Sequence, residues 1–258
     1  MKPELSDLEA LARAAGEILR AGYGRAHQVR YKGTIDLVTE YDHLSEARLL
    51  EEIRQRWPGH RLVSEESGTH AGQGRGEWLI DPLDGTVNFA HGLPIFAVSL
   101  AYAEEGQVEL GAVYAPVLDE CYSAARGQGA WLNGQPIHCS QPVDLDHSLL
   151  TTGFSYDIRS LARNNLAEHN RLALRSQGVR RFGSAALDLC FLAAGRFDGY
   201  WELEIKPWDV AAGGLIAAES GARVTNMEDR AEYLRPPCSI LAASPAIHAQ
   251  LFKELEGS

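Results

Sequence analysis

From Pro94 to Leu132 the chain reads PIFAVSLAYAEEGQVELGAVYAPVLDECYSAARGQGAWL, a series of apolar stretches broken by turn signals at Glu105-Gly106, Pro116 and Gly127. This is the pattern of an antiparallel meander, and a sheet of that size must be covered by something. The flanking sequence supplies the cover. Ahead of the meander the spacing predicts a helix over 4–23, a short β stretch over 28–32, a helix over 43–57 closed by Pro58 and Gly59, and a strand over 61–64. Beyond it, strands expected at 149–153, 199–203 and 240–243 alternate with helices expected at 160–176, 185–194, 208–220 and 246–255. A meander followed by alternation points to layered sheets and helices of mixed α/β type. With 258 residues, the expectation is one packed unit over 1–258, with approximate halves at 1–145, which holds the meander, and 146–258.

Composition removes several function classes. Hydrophobic residues at 45% and charged residues at 23% match an ordinary globular mixture. No apolar run reaches the roughly 18 residues of a membrane span. The N-terminal MKPELSDLEALARAAGEILRAG intersperses acids with apolar residues, as an amphipathic helix does and a secretory signal does not, so a cytoplasmic location and no membrane partner are expected. Cys121, Cys139, Cys190 and Cys238 form no C-x-x-C pair and read as reduced, buried thiols. A net charge of −11 argues against direct nucleic-acid binding. An acidic protein can still bind a small anion if metal ions supply local positive charge.

Such a local source is suggested by WLIDPLDGTVNF, residues 78–89. Trp78, Leu79 and Ile80 read as a short buried strand, and Pro82, which lacks an N–H, is expected after its ladder has ended, leaving Asp81 at the strand terminus. Gly85 can adopt positive φ, and Thr86 can begin a helix whose free N–H groups face the space shared with Asp81 and Asp84. Three other segments repeat the theme. RLVSEESG ends a strand in Glu65 and Glu66, IDLVTEYD brings Asp36, Glu40 and Asp42 ahead of a helix, and IKPWDVAAGGL places Asp209 at the start of a small-residue helix.

DLVTEYD, SEES, WLIDPLDGTVNFAHGLP, GSAALDLC and PWDVAAGG, in this order and spanning most of the chain, resemble the motifs of the inositol monophosphatase family, magnesium-dependent and often lithium-sensitive phosphatases. The resemblance implies a layered α/β/α/β/α sandwich of the inositol monophosphatase and fructose-1,6-bisphosphatase type. It further implies Glu65, Asp81 and the Leu83 carbonyl as ligands of one Mg²⁺, and Asp81, Asp84 and Asp209 as ligands of a second, with a third position near Glu65. The implied reaction is hydrolysis of a small phosphate monoester, inositol 1-phosphate first among them, by direct attack of water activated by the ions. Thr86 with Asp42 behind it would orient that water, with Glu65 as a further catalytic group. The amides of Gly85 and Thr86 would hold phosphate, and Asp84, Ala185, Glu202 and Asp209 would meet the substrate's hydroxyls. A homodimer is implied as well. Fructose-1,6-bisphosphate and histidinol phosphate are alternative substrates within the resemblance, and a binding role with the transcription machinery is an alternative of a different class. Glu66 reads as structural, His91 as a surface residue, Trp78, Trp201 and Trp208 as core, and Lys206 has no assigned role.

Overall fold

In the computed structural model, residues 2–25, 28–142 and 144–256 are described; Met1, Gly257 and Ser258, the ends of the expected unit, lie outside them. Helix α1 (Leu5–Gly22) forms where Leu8, Leu11, Ala12, Ala15 and Leu19 recur at helical spacing and become buried. A two-stranded ribbon of β1 (Val29–Tyr31) and β2 (Leu37–Thr39) leads into α2 (Glu40–Arg56). Thr39 caps α2 and shares a reciprocal capping box with Asp42. Helix α2 thus starts three residues earlier than the 43–57 expectation, and Asp42 sits in its first turn instead of ahead of it.

The large sheet contains β3 (Arg61–Ser64), β4 (Gly68–His70), β5 (Gly76–Asp84), β6 (Ala97–Glu104), β7 (Gln107–Ala115), β8 (Glu120–Ala125), β9 (Gly129–Leu132) and β10 (Gln135–Ile137), with the five-residue α3 (Thr86–Ala90) between β5 and β6. Its order is β10-β9-β8-β7-β6-β5-β3-β4, antiparallel except for β3 beside β5, so the meander forms as expected. One expectation fails here. Strand β5 does not stop at Ile80 but continues to Asp84 through Pro82, with a register shift between Asp81 and Asp84. A bulge removes the need for a ladder N–H at Pro82, and the Ser45 hydroxyl donates to its carbonyl at 2.8 Å.

The second sheet follows: β11 (Leu149–Thr152), α4 (Leu166–Ala173), β12 (Gly178–Arg180), α5 (Ala185–Ala193), β13 (Gly199–Ile205), α6 (Pro207–Glu219), β14 (Arg223–Thr225), β15 (Cys238–Ala243) and α7 (Pro245–Glu256), with strand order β12-β11-β13-β15-β14. The helix expected at 160–176 shrinks to α4 because Asn165 breaks it. Asn165 has φ +70, and its side chain is committed to Thr152 Oγ1, the Gly153 carbonyl and the Trp201 ring N–H.

Helices α1 and α2 cover one face of the large sheet, α5 and α6 fill the space between the two sheets, and α4 and α7 cover the far face of the small sheet. The result is five layers, α/β/α/β/α, as the motifs implied. Side-chain alternation decides which face goes where. On β6, Val98, Leu100 and Tyr102 face the α1/α2 core, whereas Ala97, Ala101 and Ala103 face α5 and α6. Helix α6 is buried continuously from Val210 to Ala217, as a helix between two sheets must be. Its small residues allow the approach: a Cβ at Gly111 of β7 would lie 3.0 Å from the Ala212 carbonyl.

Candidate active site

The ends of β3 and β5, the starts of α5 and α6 and strand β13 open on one cleft of about 520 Å³. Glu65, Asp81, Leu83, Asp84, Gly85, Thr86, Ala185, Glu202 and Asp209 all line it, so every metal and substrate residue expected from the motifs is brought to one place. Asp42 does not line the cleft but lies directly behind Thr86. The Thr86 hydroxyl is 3.0 Å from Asp42 Oδ1 and 2.9 Å from the Leu83 carbonyl oxygen. Asp42 Oδ2 accepts from the Thr39 N–H at 2.8 Å and from the Thr39 hydroxyl at 2.7 Å.

Local backbone chemistry aims each acid. In the β5 bulge, Asp81 Oδ1 accepts from the Leu83 N–H at 3.0 Å. Gly85 then turns the chain with φ +89, and a Cβ there would come within 2.9 Å of the Ile95 carbonyl, so both conformation and space require glycine. Asp84 Oδ2 accepts from the Ser184 hydroxyl at 2.6 Å and the Ala186 N–H at 2.8 Å, which couples the first half of the chain to the start of α5. Asp209 Oδ2 receives the Lys206 N–H at 3.1 Å, a cap that holds its carboxyl at the N-terminus of α6.

Burial sets the electrostatics. Asp81, Asp84 and Asp209 are desolvated, and together with Glu65 they repel one another, so their carboxyl pKa values rise; that of Asp84 reaches about 6. Burial also lifts Asp42 and Glu202, each to about 7, against the hydrogen bonds that favour their ionised forms. The first cation to meet these acids is Lys32. Its Nζ lies 2.9 Å from Glu65 Oε1 and 2.8 Å from Glu66 Oε1; burial alone would lower its pKa, but the two carboxylates outweigh burial and raise it.

Among the described residues, no three acid, histidine or cysteine side chains already converge as a closed cation cage. The donor set nevertheless fits hard divalent cations. It consists of oxygen atoms only, the carboxyls are desolvated, and Glu65 and Asp84 raise the pKa values of Asp81 and Asp209, a repulsion that cations would relieve.

Several positioning residues escaped the sequence reading. Glu46 of α2 accepts from the hydroxyls of Ser64 and Ser67 through its Oε1 and so shapes the turn that presents Glu65; an interior helix glutamate carries no local sign of this. Lys32 stood in a stretch read only as strand. Ser184 and Asp188 lay inside the GSAALDLC motif without assigned roles; Asp188 is buried at the cleft and accepts from the Thr151 hydroxyl at 2.8 Å. Glu66 pairs with Lys32, Trp78 and Trp201 are fully buried, and Trp208 packs against the core as expected while also lining the cleft. All four cysteines are free, with Cys139 only partly buried where full burial was expected.

Residues 2–258 match the model of the inositol monophosphatase family. The chain is 40% identical to the Nus factor SuhB of Pasteurella multocida over 259 residues, covering 99% of this chain and 97% of that protein. Among solved structures, inositol monophosphatase from Anabaena (Nostoc) sp. PCC 7120 aligns with a TM-score of 0.88 at 41% identity, covering 98% of this chain and 95% of the other. Thermotoga maritima IMPase TM1415 aligns with a TM-score of 0.89 at 35% identity, covering 98% and 96%. Sequence, fold and site geometry thus agree: the chain belongs to the inositol monophosphatase family.

Proposed function

We propose that the protein hydrolyses a small phosphate monoester, inositol 1-phosphate foremost, with Mg²⁺ as its metal. The family is a metal-dependent phosphatase family, and the observation that carries the reading is the meeting of Asp209 from α6 with Glu65, Asp81 and Asp84 at one cleft that also holds Thr86. Glu65, Asp81, the Leu83 carbonyl, Asp84 and Asp209 would hold two ions, with room for a third near Glu65. Bound there, the ions would neutralise phosphoryl charge and lower the pKa of water.

The chain's own residues supply position and a proton path. Asp42 Oδ1 accepts from the Thr86 hydroxyl, so a lone pair on Thr86 Oγ1 is left to accept a proton from the attacking water. Burial raises the pKa of Asp42 to about 7, which suits its carboxylate to receive the proton passed on by Thr86. Gly85 and Thr86 would present N–H groups to the phosphate, and Glu202 with the Ala185 region would bind the alcohol. Phosphoryl transfer asks mainly for such positioning and charge neutralisation. The test is a panel of inositol 1-phosphate, fructose 1,6-bisphosphate, histidinol phosphate and adenosine 3′,5′-bisphosphate with Mg²⁺. The reading expects the highest kcat/KM for inositol 1-phosphate and is abandoned if no ester is hydrolysed.

A second reading is favoured by a specific observation, the name Nus factor carried by relatives at about 40% identity. On this reading the chain also joins the transcription machinery, the alternative of a different class named above, and it bears on the expectation of no direct nucleic-acid binding. Co-purification with transcription complexes from the source cell tests it, and the phosphatase reading does not depend on the outcome.

A further inference from the structure

Glu202 lines the cleft from β13, yet its carboxylate is not left to find its own orientation. The hydroxyl of Tyr200, two residues earlier on the same face of the strand, donates to Glu202 Oε2 at 2.7 Å. Tyr200 is fully buried, and burial among acids raises its pKa well above the ordinary phenol range, so it remains a donor at any working pH. Beside that same Oε2 stands Gly153: a Cβ built there would collide with the Glu202 carboxylate, with Oε2 first and Oε1 after it. Tyr200 thus pins Oε2, and the bare backbone of Gly153 leaves room for that oxygen.

The wall and the strand are fastened together. Asn165 Nδ2 donates to the Gly153 carbonyl at 2.8 Å, and Asn165 Oδ1 accepts from the Trp201 ring N–H at 2.6 Å. The Thr152 hydroxyl donates to the Trp201 carbonyl at 2.6 Å. The end of β11 therefore cannot drift from β13 without breaking the direct Thr152–Trp201 bond and the bridge through Asn165, buried hydrogen bonds that are costly to leave unmade. Oε2 is occupied, whereas Oε1 makes no hydrogen bond to the described residues and is left as an acceptor.

We infer that Tyr200 is a positioning residue that fixes the Glu202 carboxylate to accept from a hydroxyl on the leaving alcohol, and so makes the site selective for phosphate esters of polyols. The inference rests on the phosphatase reading and adds a residue that touches no substrate. A carboxylate held in one rotamer meets a substrate hydroxyl without first losing its own freedom, so the gain lies in binding and not in the chemical step.

The test measures kcat and KM for inositol 1-phosphate and for phenyl phosphate, whose leaving group has no further hydroxyl, in wild type, Tyr200→Phe and Gly153→Ala at saturating Mg²⁺. Tyr200→Phe removes only the phenol oxygen; Gly153→Ala puts a methyl group where Oε2 lies and displaces the carboxylate. In both, the ratio of kcat/KM for inositol 1-phosphate over phenyl phosphate should fall about tenfold through KM for inositol 1-phosphate. Tyr200→Phe added to Glu202→Ala should lower the ratio no further, since the tyrosine acts through the glutamate. If both esters are hydrolysed and the ratio in Tyr200→Phe equals that of wild type, the inference is overturned while the phosphatase reading stands. If wild type hydrolyses neither ester, the phosphatase reading fails and this inference with it.

Discussion

The Thr86 hydroxyl and Asp42 Oδ1 lie 3.0 Å apart although 44 residues separate them in the chain. Asp42 is fully buried and meets the cleft-lining Thr86 at its hydroxyl, the pair proposed above to act as one proton path. Thr86→Ala keeps the backbone N–H and removes the hydroxyl; kcat should fall by roughly 10²–10⁴ with KM little changed. Asp42→Asn should give a similar loss, and the double variant should be hardly worse than either single one. Fully additive losses in ΔΔG‡ would show that the residues do not act as a unit.

Metal dependence has a readout that does not involve turnover. Burial raises the pKa values of Glu65, Asp81, Asp84 and Asp209, and repulsion from neighbouring acids adds to it, so divalent cations should stabilise the fold. Mg²⁺ at about 100 times its dissociation constant should add about 2.7 kcal/mol, seen as a rise in Tm over the chelated protein. Chelation should abolish hydrolysis, and Mg²⁺ should restore it. An unchanged Tm together with full activity in chelator would refute the proposed ligand set.

Asp209 tests whether the two parts of the chain serve the same ions. Asp209→Asn preserves shape and the Lys206 cap while removing a desolvated charge repelled by Glu65 and Asp84, so Tm in chelator should be no lower than wild type. Activity at saturating Mg²⁺ should drop by several orders of magnitude. Near-wild-type kcat would detach Asp209 from the ions.

Packing between the two sheets gives a prediction independent of function. A Cβ at Gly213 of α6 would sit 2.8 Å from Leu189 Cβ on α5. Gly213→Ala improves helix propensity by about 0.5–1 kcal/mol, but overpacking costs about 1–3 kcal/mol, so packing wins. Tm should fall by a few degrees. A variant as stable as wild type would mean that α5 and α6 can separate freely.

How much of this was legible before folding depends on the range of the interaction. The meander was readable because alternation over β6, β7 and β8 is a local, repeated signal. Three-residue strands such as β12 and β14 offer too few residues to show a period. The run to Asp84 was hidden because Pro82 speaks against a strand unless a bulge accommodates it, and bulges are set by neighbours. The same divide holds in the cleft. Motifs disclosed Asp81, Asp84 and Asp209, but Glu46 behind Ser64, Lys32 on Glu65 and Ser184 on Asp84 arise from pairings across 18, 33 and 100 residues.

The last prediction concerns His248 on α7, which is fully buried. Its Nε2 lies 3.0 Å from the Thr225 hydroxyl, and its Nδ1 makes a hydrogen bond with none of the described residues, Asp229 standing 3.9 Å away. Burial, and then the nearby Arg223 cation, lower its pKa from 6.5 to about 4; Asp229 opposes them more weakly. Between those pH values the unfolded chain takes up a proton that the native protein refuses. The native advantage at neutral pH is therefore lost progressively as pH falls through 6.5 and levels off below about 4. Titratable acids elsewhere also shift stability, so the comparison must be with His248→Gln, which keeps a polar group near Thr225 and removes the titration. From pH 7.5 to 5.0, denaturant unfolding should show wild type losing about 2 kcal/mol relative to this variant. Parallel stability curves for the two proteins would show that His248 is free to take up its proton in the folded state.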